Sequence, residues 1–275
     1  MAKGQRAEVG RTAGGARPEF VQSLERGLAV IKAFGPDGTR LTLTQVAQAT
    51  GLTRAAARRF LLTLVELGYV RNEGREFSLR PRVLELGYAY LSGLSFAEVA
   101  QPFLDELALK VQESTSIAVL DEDEIVYVAH TSPRRLMTIN VPIGGRDPVY
   151  CTSLGRVLLA GRPDDEVDSY LERAKLVAYT ENTETNPKRI RQAVLRAREL
   201  GYALVDGEFE DGLVALAVPI RDASGGVIAA MNVSAYSLRA GPEVLENAHL
   251  PALLDAVAKI EREMQSSVKL GSPLA

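Results

Sequence analysis

The chain has 275 residues, of which 46% are hydrophobic and 24% charged, a composition typical of a globular protein of about two domains. No apolar run reaches the roughly 18 residues that cross a bilayer, and residues 1–18 lack the apolar segment of a secretion signal. One cysteine and two histidines exclude a disulfide framework and leave few ligands for a transition metal. We therefore expect a cytoplasmic protein with no resident metal or cofactor.

Charge is distributed unevenly along the chain. Residues 1–80 carry 13 Lys and Arg against 7 Asp and Glu, whereas residues 81–275 carry 19 against 28. Residues 19–80 alone keep an excess, with 9 cations against 6 anions, so the amino-terminal tail supplies only part of it. A basic amino-terminal region followed by an acidic remainder indicates that the amino-terminal region binds a polyanion.

The chain begins with a tail and two predicted helices. We predict a flexible tail over 1–18 and a helix over about 21–34, which ends at a Gly-Pro-Asp-Gly breaker sequence. Thr44 is predicted to cap a short helix over 45–50, because its hydroxyl can accept a hydrogen bond from a first-turn amide. A tight turn then leads into a third helix.

The third helix has the features of a DNA recognition helix. Thr53 is predicted to cap it, and apolar residues recur every 3.6 residues as far as Leu67. Two short β-runs follow, over 69–72 and 76–79, and predict a hairpin that forms a wing. A helix, a tight turn and a second helix are the arrangement that places the second helix in the major groove of DNA.

The predicted recognition helix carries suitable donors. Arg54 and Arg58 are four residues apart and share a face, and a bidentate arginine discriminates guanine by about 1–3 kcal/mol. The small side chain of Ala55 lets the helix approach the bases closely. The alternative is a protein-binding helical module with a solvated arginine face. The candidate DNA-binding residues are Thr44, Gln45, Thr53, Arg54, Ala55, Arg58, Arg59, Arg71 and Arg75.

The rest of the chain mixes strands and helices, so the predicted class is α+β, with an antiparallel sheet flanked by helices. We divide it into a winged helix-turn-helix domain over 19–80, a linker over 81–95, a second domain over 96–265 and a flexible tail over 266–275. Strands are predicted at 116–120, 125–130, 137–141, 202–205, 214–220 and 227–234. Helices are predicted at 82–94, 96–113, 152–160, 164–171, 187–200 and, interrupted at Pro251, 242–264.

Several stretches resemble a known family. SLERGLAVIKAFG and LTLTQVAQATGLTRAAARRFLLTLVELGYV resemble the amino-terminal domain of IclR-type transcriptional regulators. The resemblance continues through VPIGGRDPVYCTSLGRVLLAG and RARELGYALVDGEFEDGLVALAVPIRDASGGVIAAMNVSAYSLR, and so spans about 20–264. YCTSLGRVLLAG and GYALVDGEFEDGL are most similar to the branch that controls aromatic-acid breakdown through protocatechuate and β-ketoadipate, the Pca and Pob regulators.

The resemblance implies a GAF-like effector domain, a homodimer or dimer of dimers, a palindromic operator in double-stranded DNA and a small carboxylic acid as effector. It leaves open whether the protein represses or activates. Members that respond to glyoxylate-type acids tend to have Asp where Val205 stands and Cys where Ala215 stands. The loss of both polar groups favours a larger acid that is partly apolar or aromatic.

The residues themselves also indicate an anion site. Thr152 and Ser153 open a predicted helix, and a helix N-terminus presents free N–H groups and partial positive charge to a carboxylate. Arg134 follows a proline in a loop and offers a bidentate partner for a second carboxylate. An ordinary cap for Ser153 and a solvated charge for Arg134 are the alternatives. With the positions that the resemblance supplies, the effector-binding candidates are Thr152, Ser153, Leu154, Val205, Ala215, Asn232, Ser234 and Arg134.

An enzyme is the competing class of function. Cys151 precedes a predicted helix, where the pKa of a thiol falls, but nothing links it to either His130 or His249 as a base. No nucleotide-binding fingerprint occurs in the sequence. We therefore predict no catalytic residue and no enzymatic activity. A regulator of another catabolic route and a Cys-dependent enzyme remain the alternatives.

Overall fold

A computed structural model describes residues 20–35, 40–87, 95–133, 139 and 141–270. They divide into two units, one within 1–89 and the other within 90–275. In the described ranges, no helix is both long enough and apolar enough to cross a membrane. The predicted tail over 1–18 and the candidate Arg134 lie outside the described residues.

The first unit combines three helices with a three-stranded antiparallel sheet of order β1-β3-β2. The helices pack around Val30, Val46 and Leu61, which are fully buried. The β2–β3 hairpin turns at Gly74, whose positive φ of 73° favours glycine. The helix-turn-helix prediction is thus confirmed, with the hairpin as its wing. The elements are α1 (Gln22–Lys32), β1 (Leu41–Thr42), α2 (Leu43–Thr50), α3 (Arg54–Glu66), β2 (Val70–Glu73) and β3 (Glu76–Leu79).

The cap of α2 differs from the prediction. Thr42, and not Thr44, precedes the helix: its Oγ1 accepts from the Gln45 N–H at 3.4 Å, and Gln45 Oε1 accepts from the Thr42 N–H at 2.8 Å. This reciprocal pair satisfies two amides at once, which one threonine at position 44 could not do. The assignment of Thr44 as the cap was therefore wrong. Thr53 caps α3 as predicted, accepting from the Ala56 N–H at 3.2 Å.

The predicted linker helix is only partly described. A 3-10 turn over Pro81–Leu84 leads into helical residues 85–87, and 88–94 lie outside the described residues. Arg82 ties the turn to the first unit, because its Nη1 donates to Leu67 O at 3.0 Å and its guanidinium lies 5.4 Å from the centre of the Tyr69 ring. The prediction of an α-helix from residue 82 was wrong at its start, where proline favours the tighter turn.

The second unit is a six-stranded antiparallel sheet of order β6-β5-β4-β9-β8-β7, covered by helices on both faces. This confirms the predicted α+β class. Helices α4 and α9 pack on one face, and α5, α6 and α7 on the other. Its strands are β4 (Ser114–Asp121), β5 (Glu124–Thr131), β6 (Arg146–Pro148), β7 (Ala203–Asp206), β8 (Leu213–Arg221) and β9 (Val227–Tyr236). Its helices are α4 (Ser95–Val111), α5 (Ser153–Ala160), α6 (Asp164–Arg173), α7 (Pro187–Leu200), α8 (Pro242–Val244) and α9 (Leu250–Leu270).

Three details of this unit depart from the sequence prediction. The sequence missed β6, and the strand predicted at 137–141 lies largely outside the described residues, of which 139 and 141 are not in a strand. A π-helical turn over Leu245–His249 precedes Pro251, because proline has no N–H for the α-helical ladder and the wider turn absorbs the mismatch. Finally, α9 includes 266–270, which were predicted as tail.

Candidate functional site

The outer side of α3 is an arginine surface. Arg54, Arg58 and Arg59 are all exposed, and no ion pair holds any of them within the described part of the chain. Ala55, which lies beside Arg54, is exposed as well. The opposite side of α3 is anchored in the core through the fully buried Leu61. The helix therefore presents its charge outward on a fixed scaffold.

The wing adds two more cations. Arg71 lies 3.2 Å from Glu73, which also pairs with Arg40 at 2.7 Å, and both arginines are more than half exposed. Exposed ion pairs of this kind contribute about 0–1 kcal/mol, so a phosphate can replace the carboxylate as the partner of Arg71. Arg75, in the turn of the hairpin, is exposed.

Two candidates on α2 differ in availability. Thr44 is exposed and has no capping duty, whereas the side-chain oxygen of Gln45 is occupied by the capping box. Only the side-chain NH2 of Gln45 remains for a DNA contact. The sequence analysis missed Arg26 of α1, which lines a cleft of about 350 Å³ together with Arg59. The two arginines are 33 positions apart in the chain, so the sequence pattern did not indicate that they line one cleft.

The second unit contains a cavity of about 470 Å³ beside the start of α5. Arg134, the eighth predicted effector residue, cannot be placed, because it lies outside the described residues. The other seven predicted residues all line this one cavity: Thr152, Ser153, Leu154, Val205, Ala215, Asn232 and Ser234.

A tight junction fixes where α5 begins. Thr152 Oγ1 accepts from the Gly155 N–H at 3.2 Å and donates to Pro148 O at 2.8 Å. A Cβ at Gly155 would overlap the backbone of Val149, so only glycine permits this approach. The first intrahelical donor is the Arg156 N–H, which donates to Thr152 O. The amides of Ser153 and Leu154 therefore have no acceptor within the helix.

Ser153 carries an unpaired hydroxyl at this junction. The residue is 1% exposed, and its Oγ is the one fully buried side-chain polar atom without a hydrogen-bond partner in the described part of the chain. Leaving such a group unpaired costs about 1–3 kcal/mol. Since Ser153 also lines the cavity, a bound acceptor would satisfy it.

Asn232 and Ser234 form a polar row on β9. Asn232 Oδ1 accepts from the Ser116 N–H at 3.0 Å, and its Nδ2 donates to Ser234 Oγ at 2.8 Å. The Asn232 side chain thereby connects β9 to β4 and has a structural role. Ser116 Oγ lies 3.0 Å from Nδ1 of His130. The row ends in the Ser234 hydroxyl, which still has a proton for a ligand in the cavity.

The cavity also contains a tyrosine–aspartate pair that the sequence analysis did not identify. Tyr127 donates its hydroxyl to Asp147 Oδ2 at 2.8 Å. Burial raises the pKa of Tyr127, and burial followed by the charges of Glu124 and Glu210 raises the pKa of Asp147, against the lowering effect of the Tyr127 bond. Tyr127 looked like an ordinary strand aromatic, and Asp147 like a turn residue, because β6 was not predicted. Apolar side chains line other parts of the cavity, among them Ile139, Val141, Phe209 and Leu213.

Cys151 borders the cavity but is not activated. Burial, with the charge of Glu208 next, raises the pKa of this fully buried thiol to about 12. His130 bonds instead to Ser116 and Ser132. The low thiol pKa expected for a catalytic cysteine at a helix N-terminus is thus reversed here by desolvation.

The helix-turn-helix and the separate cavity-bearing unit define a DNA-binding regulator with a sensor. Two family models match the chain: the IclR helix-turn-helix domain over residues 23–74, and the bacterial transcriptional regulator IclR C-terminal domain over residues 88–262. The chain belongs to the IclR family of bacterial transcriptional regulators.

Two relatives and one solved structure indicate which branch of the IclR family this chain resembles. The chain is 45% identical to the Pca regulon regulatory protein of Pseudomonas putida over 87% of this chain and 82% of that protein. It is 37% identical to the p-hydroxybenzoate hydroxylase transcriptional activator of Acinetobacter baylyi over 86% and 89%. The crystal structure of an IclR homologue from Microbacterium hydrocarbonoxydans, complexed with 4-hydroxybenzoate, is similar with a TM-score of 0.80 at 26% identity, over 89% and 99% of the two chains. The resemblance to the Pca and Pob branch is thus supported.

We expect iodoacetamide to label Cys151 slowly in the folded protein. A pKa raised to about 12 keeps the thiol protonated at pH 8, and reactive thiolate forms only as the pH rises towards that value. Mass spectrometry should give a rate at least about a hundredfold below that of the urea-unfolded chain. The chain has one cysteine, so total labelling reports on this site. Equal rates in both states would restore the enzyme alternative.

Proposed function

We propose that the protein is an effector-responsive transcriptional regulator of genes for aromatic-acid catabolism, with the cavity beside α5 as its effector site. The observation that carries the proposal is the unpaired, buried hydroxyl of Ser153 at a helix N-terminus that borders a cavity of about 470 Å³. The names of the two relatives and the 4-hydroxybenzoate in the similar structure support the aromatic class of ligand.

The effector carboxylate is held by donors at the start of α5. The amides of Ser153 and Leu154 point along the helix axis, where the partial positive charge of the helix favours an anion. Ser153 Oγ adds a third donor. Among the described lining residues there is no Lys, Arg or His, so this backbone site carries most of the charge recognition. Arg134 remains a candidate for an additional contact from outside the described residues.

The ring of the effector fits the apolar part of the wall. Val205 and Ala215 lie on neighbouring strands at paired positions, Phe209 comes from the segment that joins those strands, and Leu213 is the first residue of β8. Phe209 is itself held edge-on against Tyr179, with ring centres 5.2 Å apart. An aromatic acid buries its ring against these side chains, whereas a small acid such as glyoxylate leaves the space unfilled.

We assign DNA binding to α3 and the wing. Arg54, Arg58 and Arg59 are the base-reading and phosphate-binding candidates, and Arg71 and Arg75 bind the flanking backbone. We propose that two copies act together on a palindromic operator, since a two-fold dimer presents two recognition helices to two half-sites. Effector binding and DNA binding then change each other's affinity by the same factor.

An apolar stripe on α1 supports the second copy as the partner. Leu24 and Leu28 are four residues apart on α1 and are 63% and 46% exposed, and Phe20, two residues before the helix, is 58% exposed. Side chains at this spacing share one face of a helix. A stripe of this kind, continuous and exposed in a single chain, is the usual mark of an interface. A homodimer would bury it.

Ser153→Ala should lower affinity without lowering stability. We expect the dissociation constant for 4-hydroxybenzoate, measured by isothermal titration calorimetry, to rise about tenfold, because one hydrogen bond to the carboxylate is lost. The melting temperature of the unliganded protein should stay constant or rise, because an unpaired buried hydroxyl is removed. Ser169→Ala, on the exposed surface of α6 away from the cavity, is the matched control. Undiminished binding by Ser153→Ala would remove this site from the proposal.

Arg58→Ala should separate specific from non-specific DNA binding. An operator fragment selected from a random pool should bind about tenfold to a hundredfold more weakly, whereas random DNA loses only about threefold, because base contacts carry the discrimination. Electrophoretic mobility shift at fixed salt measures both. Arg196→Ala removes one exposed charge from α7 and should leave both affinities unchanged. Equal losses on the two DNAs would reduce Arg58 to a phosphate contact.

Replacing Leu24 and Leu28 with serine should weaken self-association. Sedimentation equilibrium of the full chain should show a dissociation constant at least about tenfold higher, because two apolar side chains leave the proposed interface. Leu238→Ser alters a fully exposed leucine of the second unit and serves as the control. Unchanged association would show that α1 does not form the interface.

A further inference from the structure

The part of the cavity wall that β5 and β6 form carries the Tyr127–Asp147 pair. Tyr127 is on β5 and Asp147 on the edge strand β6, whereas Val205 is on β7 at the other edge. Apolar side chains from β7 and β8 and the Tyr127–Asp147 pair thus line the same cavity.

Among the described residues, no cation forms an ion pair with Asp147. Its neighbour Arg146 is engaged elsewhere, at 2.6 Å from both Asp121 and Glu124. In the described part of the chain the one side-chain partner of Asp147 is the Tyr127 hydroxyl, which donates to Oδ2 and leaves Oδ1 to accept another hydrogen bond. Tyr127 is 7% exposed and Asp147 is half-buried, so the pair is partly shielded from solvent.

Such a carboxylate selects ligands by charge and by donors. Burial and the charges of Glu124 and Glu210 raise the pKa of Asp147, which makes it a stronger hydrogen-bond acceptor than an exposed aspartate. A hydroxyl on the ligand satisfies it. A hydrogen at that position leaves it unpaired, and a second carboxylate meets a like charge in a region of low dielectric.

We propose that Asp147 is a specificity-determining residue that accepts a hydrogen bond from a hydroxyl group of the effector, so that the site takes hydroxylated monocarboxylic acids and rejects dicarboxylic acids. The inference rests on the proposed function of the cavity and sharpens it. The donors at the start of α5 bind the carboxylate of any acid of this class, and Asp147 distinguishes among the acids by the group that each bears elsewhere.

Three acids that differ only at the para position test the proposal: benzoate, 4-hydroxybenzoate and terephthalate. Calorimetry on the full wild-type chain should give 4-hydroxybenzoate an affinity about tenfold to a hundredfold above that of benzoate, and terephthalate an affinity at least about tenfold below it. In Asp147→Asn the first ratio should fall below about threefold, and terephthalate should bind more tightly than in the wild type. Benzoate affinity should not change.

Two further variants serve as controls for this result. Asp165→Asn neutralises an exposed carboxylate of α6 that does not line the cavity, and both ratios should keep their wild-type values. Tyr127→Phe removes the neighbouring hydroxyl, and the preference for 4-hydroxybenzoate should persist because Asp147 remains. The gain for terephthalate in Asp147→Asn is a readout that partial unfolding cannot mimic.

The outcomes separate the two proposals. If the wild type binds the aromatic acids but the ratios are the same in Asp147→Asn, the role of Asp147 is overturned and the effector site stands. If the preference for 4-hydroxybenzoate disappears in Tyr127→Phe, hydroxyl recognition belongs to the tyrosine and the role of Asp147 is likewise overturned. If none of the three acids binds the wild type, both proposals are overturned.

Discussion

The start of α5 is the constraint on which the sensor unit depends. Gly155 lets the helix lie directly against the backbone of Val149, and the hydroxyl of Thr152 bonds both to the helix and to the end of β6. A helix that began one residue later would still fold, but its free amides would face a different place. The position of the proposed backbone anion site is thus set by packing, which glycine permits and no side chain supplies.

A buried ion pair holds the other side of this junction. Arg156 Nη2 lies 2.6 Å from Glu208 Oε2, both side chains are largely buried, and Arg156 Nε donates to Tyr150 O at 3.0 Å. Such a pair gains little net stability once desolvation is included, but its geometry is demanding. It connects α5 to the segment between β7 and β8, which contributes Phe209 to the cavity. The donors for an acid and the apolar wall for its ring are therefore held by one connected set of contacts.

Local pattern predicted most of the fold, and it failed where a partner was distant in the chain. Thr53 could be assigned as a cap because its partner Ala56 is three residues away. The error at Thr44 came from a competition between two nearby threonines that only the return bond from Gln45 decides. The seven effector candidates that line one cavity came chiefly from resemblance. Tyr127 and Asp147 were missed because they meet through strand pairing, and a three-residue edge strand leaves no periodicity to detect.

In the proposed effector site, the helix start and the strand side chains have different roles. Backbone amides at a helix start recognise a carboxylate whatever the rest of the molecule is, and substitution hardly alters them. Strand side chains carry the variable part of recognition. Val205 and Ala215 are apolar in this chain, so polar discrimination must come from other lining residues. These include the row from Ser116 to Ser234 and the Tyr127–Asp147 pair. In the row, the side-chain amide of Asn232 already has hydrogen-bond partners: its oxygen accepts from the Ser116 N–H and its nitrogen donates to Ser234 Oγ. The pair, in contrast, leaves a charged oxygen unmatched, which makes it the more selective element.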